Sequence, residues 1–124
     1  MSKFTKADKL MLQVLRLERG CRDEITGKVD PKVGVFHILS KATHPRLRYC
    51  KRNLLLVSWY PTHNDWHHNY FKAQIIEKRI KALLGTNYKY DLEVINRTMP
   101  KVDIKLTELV LKQELENLKS NDKI

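Results

Sequence analysis

Two short apolar segments, residues 33–38 and 54–57, have the length and composition of β-strands, and a loop rich in basic residues separates them. The first segment contains several β-branched residues and the second is a continuous aliphatic run. Pro61 and Thr62 follow the second segment and predict a turn and a helix cap. This order predicts a β-hairpin that leads directly into a helix.

Helical periodicity is found on both sides of the predicted hairpin. Thr5 and Asp8 form an N-terminal capping pattern, and Gly20 ends the first helix. The predicted helices cover residues 5–20, 63–84, 88–97 and 107–119. We expect a single α+β domain over residues 1–124, made of an N-terminal helix (1–20), a ββα core (33–84) and C-terminal helices (88–119).

The charge of the chain indicates a polyanionic partner. It has 24 Lys and Arg against 14 Asp and Glu, a net charge of +10, and residues 1–62 hold 13 basic and 5 acidic side chains. Residues 41–52 contain five basic side chains and no acidic one. We expect this loop to contact phosphates through Lys41, Arg46, Arg48, Lys51 and Arg52, with Arg48 closest. A solvated cationic surface is the alternative interpretation.

The location of the protein is also constrained by its sequence. No apolar run approaches the roughly 20 residues that cross a bilayer, and the charged N-terminal segment lacks the apolar stretch of a signal peptide. We therefore expect no membrane partner and a reducing, cytoplasmic setting. Cys21 and Cys50 are expected to be ordinary thiols.

The histidines are the residues best suited to chemistry. His63 and His67 are four positions apart, so on a helix both imidazoles lie on one face and can reach one divalent ion. Surface His pairs share this spacing, so the pair alone is weak evidence. His37 lies in the first strand and Asn53 at the start of the second.

The order of His37, a basic loop, Asn53 and a helical His pair resembles the HNH, or ββα-metal, nucleases. The segments around residues 37–54 and 84–107 look similar to phage recombination proteins of the NinG type, over about residues 14 to 119. The resemblance implies that His37 is the general base, that Asn53 orients it and that His63 and His67 bind the metal. It also implies DNA, including branched DNA, as the substrate.

The sequence departs from this pattern at several positions. Many relatives place a metal ligand immediately before the base, where this chain has Phe36. Waters, the substrate phosphate, Asn64 or Asp65 would then complete the coordination of one divalent ion, with Mg²⁺ or Mn²⁺ expected first and Zn²⁺ or Ni²⁺ as alternatives. His68 replaces His67 if the helix starts one residue later.

A structural zinc site built from four cysteines is impossible in a chain with two. We expect packing of Trp59, Tyr60 and Trp66 to replace it, and we expect Trp59, Tyr60 and Phe71 to belong to the core rather than to stack on bases.

The sequence therefore predicts a metal-dependent DNA endonuclease of phage recombination or DNA processing, possible as a homodimer because cutting a junction needs two nicks. Two rival functions stay open. One is a nuclease-like module that binds nucleic acid without cutting it. The other is a protein-interaction role for the C-terminal helix.

Overall fold

The computed structural model describes residues 4–121, and it confirms the α+β class: five helices flank a two-stranded antiparallel sheet in this part of the chain. The elements are α1 (Lys6–Arg19), β1 (Gly34–His37), β2 (Leu54–Val57), α2 (Asn64–His68), α3 (Tyr70–Leu84), α4 (Tyr88–Thr98) and α5 (Ile104–Asn121). Among residues 4–121 no helix combines the length and the apolar character needed to cross a bilayer.

Helix α1 begins and ends where its sequence predicts. The Thr5 hydroxyl accepts a hydrogen bond from the Asp8 N–H (3.2 Å), and the Asp8 carboxylate accepts one from the Thr5 N–H (2.7 Å). This reciprocal pair satisfies donors that the first helical turn leaves open. The helix stops at Gly20, whose φ of 82° is a conformation that glycine adopts without steric cost.

The hairpin is covered on both faces, which explains why β2 has no polar alternation. In the register of the sheet His37 pairs with Leu54. Leu55 and Val57 pack toward α3 and α4, whereas Leu54 and Leu56 pack toward α1 and α5. Because all four residues of β2 are buried, the strand reads as one aliphatic run.

The single long helix predicted over residues 63–84 is wrong. A wound turn over Trp59–His63 leads into the short helix α2, and the chain breaks at Asn69, whose φ and ψ are −131° and 99°. The Asn69 side chain accepts a hydrogen bond from the Lys72 N–H (3.2 Å) and so caps α3. Helix α2 therefore lies between the turn that follows the hairpin and α3, and it contacts both.

The helices predicted at the C-terminal end are confirmed, with α5 beginning at Ile104, three residues earlier than expected. The two cysteines are free and half-buried.

The predicted core positions of three aromatic residues are wrong. Trp59 is 70% exposed, Tyr60 75% and Phe71 78%. Trp59 and Tyr60 lie in the turn beyond β2, outside both packed faces of the hairpin. Of the three aromatic residues expected to replace a zinc site by packing, Trp66 alone packs against the core, with its ring 5.4 Å from that of Phe36.

Candidate active site

The first residue of the site is His37, at the end of β1. Its Nε2 lies 3.1 Å from the Arg48 carbonyl oxygen. A carbonyl only accepts, so in the neutral ring Nε2 carries the hydrogen and Nδ1 keeps its lone pair. Burial lowers the pKa of His37, and the positive charge of Lys41 adds to this effect. The imidazole is therefore a neutral base with a fixed tautomer at pH 7.

Asn53 contacts the loop rather than the imidazole that we expected it to orient. Its side chain is completely buried. Its Oδ1 accepts a hydrogen bond from the Leu39 N–H (2.8 Å), and its Nδ2 donates to the carbonyls of Leu39 (3.0 Å) and Leu47 (3.5 Å). Asn53 therefore holds the loop whose Arg48 carbonyl bonds to the His37 ring.

His63 and His67 lie together at the start of the helical region. Their ring centroids are 4.9 Å apart with an angle of 37° between the planes. The ring centroids of the buried Phe36 and of His63 are 5.6 Å apart in an edge-on arrangement, so one side of the His63 ring packs against an apolar side chain. Burial lowers the pKa of His63, and the neighbouring His67 adds to the effect. A neutral imidazole is the form that binds a metal.

The structure distinguishes between the alternatives for the second histidine. His67 lines the same cavity as His63, whereas the neighbouring ring of His68 lies 6.3 Å from that of His67 and outside this cavity. Asp65, a candidate additional ligand, forms an ion pair with Lys72 at 3.8 Å.

One cavity of about 410 Å³ brings these groups together. It follows β1, which pairs only with β2 in the described part of the chain and therefore leaves its outer edge open. Phe36 and His37 point to opposite faces of this strand because neighbouring strand residues alternate. The charged residues and histidines that line the cavity are Asp8, His37, Lys41, Arg48, His63 and His67.

Two of the five basic residues of the loop line the cavity. Lys41 and Arg48 line the cavity, but Arg48 forms a bridge of 2.6 Å to Asp8 in α1. Hydrogen bonds from Arg48 and from Thr5 outweigh burial and keep the pKa of Asp8 below its ordinary value. The pair is largely buried, so much of the Arg48 charge is compensated inside the protein.

The other three basic residues lie outside the cavity. Lys51 forms ion pairs with Glu18 and Glu114. Arg46 donates a hydrogen bond to the Met99 carbonyl at 3.0 Å. Arg52 is exposed and lies beside Leu84 in a separate shallow depression. Of the five basic residues predicted to contact phosphates, Lys41 and Arg48 therefore line the cavity, and Arg46, Lys51 and Arg52 lie outside it.

Asp23 is a positioning residue that sequence analysis missed. It is completely buried and accepts hydrogen bonds from the N–H groups of Ile25 (2.8 Å) and Ser58 (2.9 Å) and from the side chain of Thr62. Ser58 and Thr62 flank the turn that delivers His63. The turn-rich sequence around residue 23 predicts a loop, but nothing local indicates that its carboxylate reaches a segment 35 residues away.

The nitrogen donors of the cavity that could bind a metal together are the imidazoles of His63 and His67. Imidazole nitrogens suit Zn²⁺ and Ni²⁺ better than Mg²⁺ and Mn²⁺, which prefer oxygen ligands. Among residues 4–121 no cluster of three or more His, Cys, Asp or Glu side chains is arranged to hold an ion. His63 and His67 would thus supply two ligands, and solvent and a substrate phosphate would supply the others.

Comparisons of the chain with protein-family models, with curated proteins and with solved structures find no match.

Proposed function

We propose that this protein is a divalent-metal-dependent DNA endonuclease that hydrolyses phosphodiester bonds. The observation that supports this proposal is the single cavity lined by His37, His63, His67 and Lys41. It combines a neutral imidazole of fixed tautomer, a pair of metal-binding imidazoles and a cation suited to a phosphate oxygen. A general base, a metal ion and a further positive charge beside the phosphate each lower the barrier to phosphodiester hydrolysis.

His37 acts as the general base. Its Nδ1 accepts the proton of the attacking water, while its Nε2–H stays on the Arg48 carbonyl. The imidazolium that forms is favoured by the negative charge of Asp8. Asn53 keeps the loop in place during this step, because it fastens the backbone at Leu39 and Leu47.

His63 and His67 would hold the cation. Phe36 packs against the His63 ring, and Asp23 accepts a hydrogen bond from the Ser58 N–H before the turn that leads to His63. When bound there, a divalent ion would offset the charge that builds up on the phosphate oxygens. Lys41 adds a second positive charge at the same cavity.

Plasmid cleavage tests the proposal. Purified protein is incubated with supercoiled DNA and Mn²⁺, Ni²⁺, Zn²⁺ or Mg²⁺, and nicked product is quantified. Loss of the base lowers the cleavage rate of His37→Ala by about 100- to 10,000-fold, with DNA binding retained. His68→Ala is the matched control, because this histidine lies outside the cavity, and it cuts at the wild-type rate.

A second candidate is a nuclease-like module that binds nucleic acid without cutting it. The observation in its favour is Phe36, an apolar ring packed against His63 where relatives of the nuclease family carry a further ligand. If wild type and His37→Ala both bind DNA and neither cuts with any of the four ions, this candidate replaces the endonuclease.

We further propose branched DNA in phage recombination as the setting of this activity, on the basis of the sequence resemblance. Junction cutting would then require two copies of the cavity, one for each nicked strand. Four-way junctions added to the same assay test this point, with perfect duplex as the reference.

A further inference from the structure

Two large aromatic side chains near the proposed active site are exposed to solvent. Trp59 is 70% exposed and Tyr60 75%, and we refer to them as the aromatic pair. Both follow directly after the buried strand β2, and neither belongs to a core cluster in the described residues. Aromatic side chains of this size normally contribute most when they are buried, so their exposure points to a partner that covers them.

The aromatic pair is continuous with the proposed metal-binding histidines. The Trp59 ring centroid lies 4.7 Å from that of His63, and the His63 ring lies 4.9 Å from that of His67. A nucleotide whose phosphate lies at these two histidines therefore has its neighbour along the strand beside the indole. Tyr60, the next residue in the chain, is also exposed and does not line the cavity.

We infer that the aromatic pair stacks on unpaired bases next to the bond that is cleaved, so that the preferred substrate is DNA with single-stranded nucleotides at that point. This rests on the proposed function, because the histidines define where the cleaved phosphate lies. Stacking needs an open base face, which a continuous duplex covers with the neighbouring base pairs.

Charge favours nucleic acid over another protein as the occupant. The chain carries a net charge of +10, and 13 of its basic side chains against 5 acidic ones lie in residues 1–62, which include the aromatic pair. Lys41 lines the neighbouring cavity. An exposed aromatic surface combined with positive charge is the combination by which proteins bind single strands with little dependence on sequence.

Binding measurements test the inference without requiring catalysis. Fluorescence anisotropy compares a single-stranded oligonucleotide with the perfect duplex of the same sequence, for wild type, Trp59→Ala and Tyr90→Ala. Tyr90 is a matched control because it is an exposed aromatic residue (66%) on α4. We expect Trp59→Ala to weaken single-strand binding about ten-fold or more and duplex binding less than about two-fold, and Tyr90→Ala to change neither.

Circular dichroism of Trp59→Ala checks that the exposed substitution leaves the fold intact. Trp59→Phe, which keeps a ring, should retain most of the single-strand affinity, and the oligonucleotide should quench its fluorescence less than that of wild type, because Trp66 is then the remaining tryptophan. These results would support the inference.

Equal loss of single-strand and duplex binding in Trp59→Ala, or no loss of either, overturns it. A change of wild type from dimer to monomer on Trp59→Ala, seen by light scattering, also overturns it, because a second copy would then cover the aromatic pair. Failure of the proposed function looks different: wild type would bind single strands through Trp59 and cut no substrate with any ion.

Discussion

At the scale of single residues, the environment of His37 sets the pH range in which it acts as a base. Burial, assisted by the charge of Lys41, lowers its pKa below the ordinary value of 6.5. The neutral form therefore persists to lower pH than for an exposed histidine. Under the proposed function, cleavage would be lost as the pH falls through this lowered pKa.

The first prediction concerns this pKa. Removing the positive charge in Lys41→Gln raises the pKa of His37, because one of the causes that lower it is gone. NMR titration of the His37 ring signals in the free protein measures the midpoint directly. Lys28→Gln, an exposed lysine elsewhere in the same half of the chain, leaves the midpoint in place. A fall in the midpoint of Lys41→Gln would contradict the electrostatic explanation.

The second prediction concerns the metal ligands. His63→Ala and His67→Ala each weaken Ni²⁺ or Zn²⁺ binding by roughly ten-fold or more, because two imidazoles share the ion in the proposed site. His68→Ala binds as wild type does, since its ring lies outside the cavity. Isothermal titration calorimetry of the four proteins measures the affinities. Loss of affinity in His68→Ala with none in His67→Ala would show that the neighbouring histidine is the ligand.

At the scale of elements, the parts of the fold that depend on neighbouring residues were predictable. The Thr5–Asp8 cap and Gly20 define α1 within its own sequence, and the aliphatic run of β2 identifies a buried strand. The break at Asn69 was not predicted, because helical periodicity continues on both sides of it. An asparagine inside such a pattern does not by itself indicate the N-cap of a new helix.

The loop that contains Asp23 connects two elements that the sequence does not relate. Burial alone would raise the pKa of Asp23, but hydrogen bonds from Thr62, Ser58, Thr26 and Ile25 outweigh it, and the pKa lies below the ordinary 3.8. The folded state therefore gains stability from the ionised carboxylate. This gain is fully present above pH 3.8 and disappears as the pH falls through the lowered pKa.

The third prediction follows from these bonds. Asp23→Asn lowers the free energy of unfolding by about 1–3 kcal/mol at neutral pH, because buried N–H donors lose a charged acceptor. The gap between variant and wild type narrows below pH 3.8, where the wild-type carboxyl also becomes neutral. Urea denaturation at neutral pH and below pH 3.8 measures the difference in the free energy of unfolding between the two proteins. Asp91→Asn, an exposed residue of α4, serves as the control, and a loss of the same size there would argue against a special role for Asp23.

At the scale of the whole molecule, three of the residues that the sequence singles out, His37, His63 and His67, line one cavity, whereas Asn53 does not. The charge balance around them could not be predicted from the sequence. The bridge from Arg48 to Asp8 joins residues 40 positions apart, and it exists only because α1 packs against the hairpin. The same packing removes Lys51 from the cavity, since Glu18 and Glu114 surround its ammonium group.

The fourth prediction tests whether α5 belongs to the core. Leu111 is 3% exposed and packs in the cluster that covers Leu54 and Leu56, whereas Leu109 is 67% exposed. Leu111→Ala therefore lowers the free energy of unfolding by about 2–4 kcal/mol, and Leu109→Ala by less than about 0.5 kcal/mol. Urea denaturation curves of the two variants provide the comparison. A larger loss for Leu109→Ala would place the functional contact of α5 on its outer face, as a protein-interaction role requires.

Because helices cover both faces of the hairpin, the segment that carries the candidate site cannot be transferred to another protein by itself. A fragment of residues 33–84 would keep the histidines. It would lack α1 and α5 on one face of β2 and α4 on the other, so the leucines of β2 would be exposed to water. Such a fragment would aggregate in solution. A fusion protein that uses this domain therefore has to include α1, α4 and α5. The fused domain should leave the unpaired edge of β1 accessible.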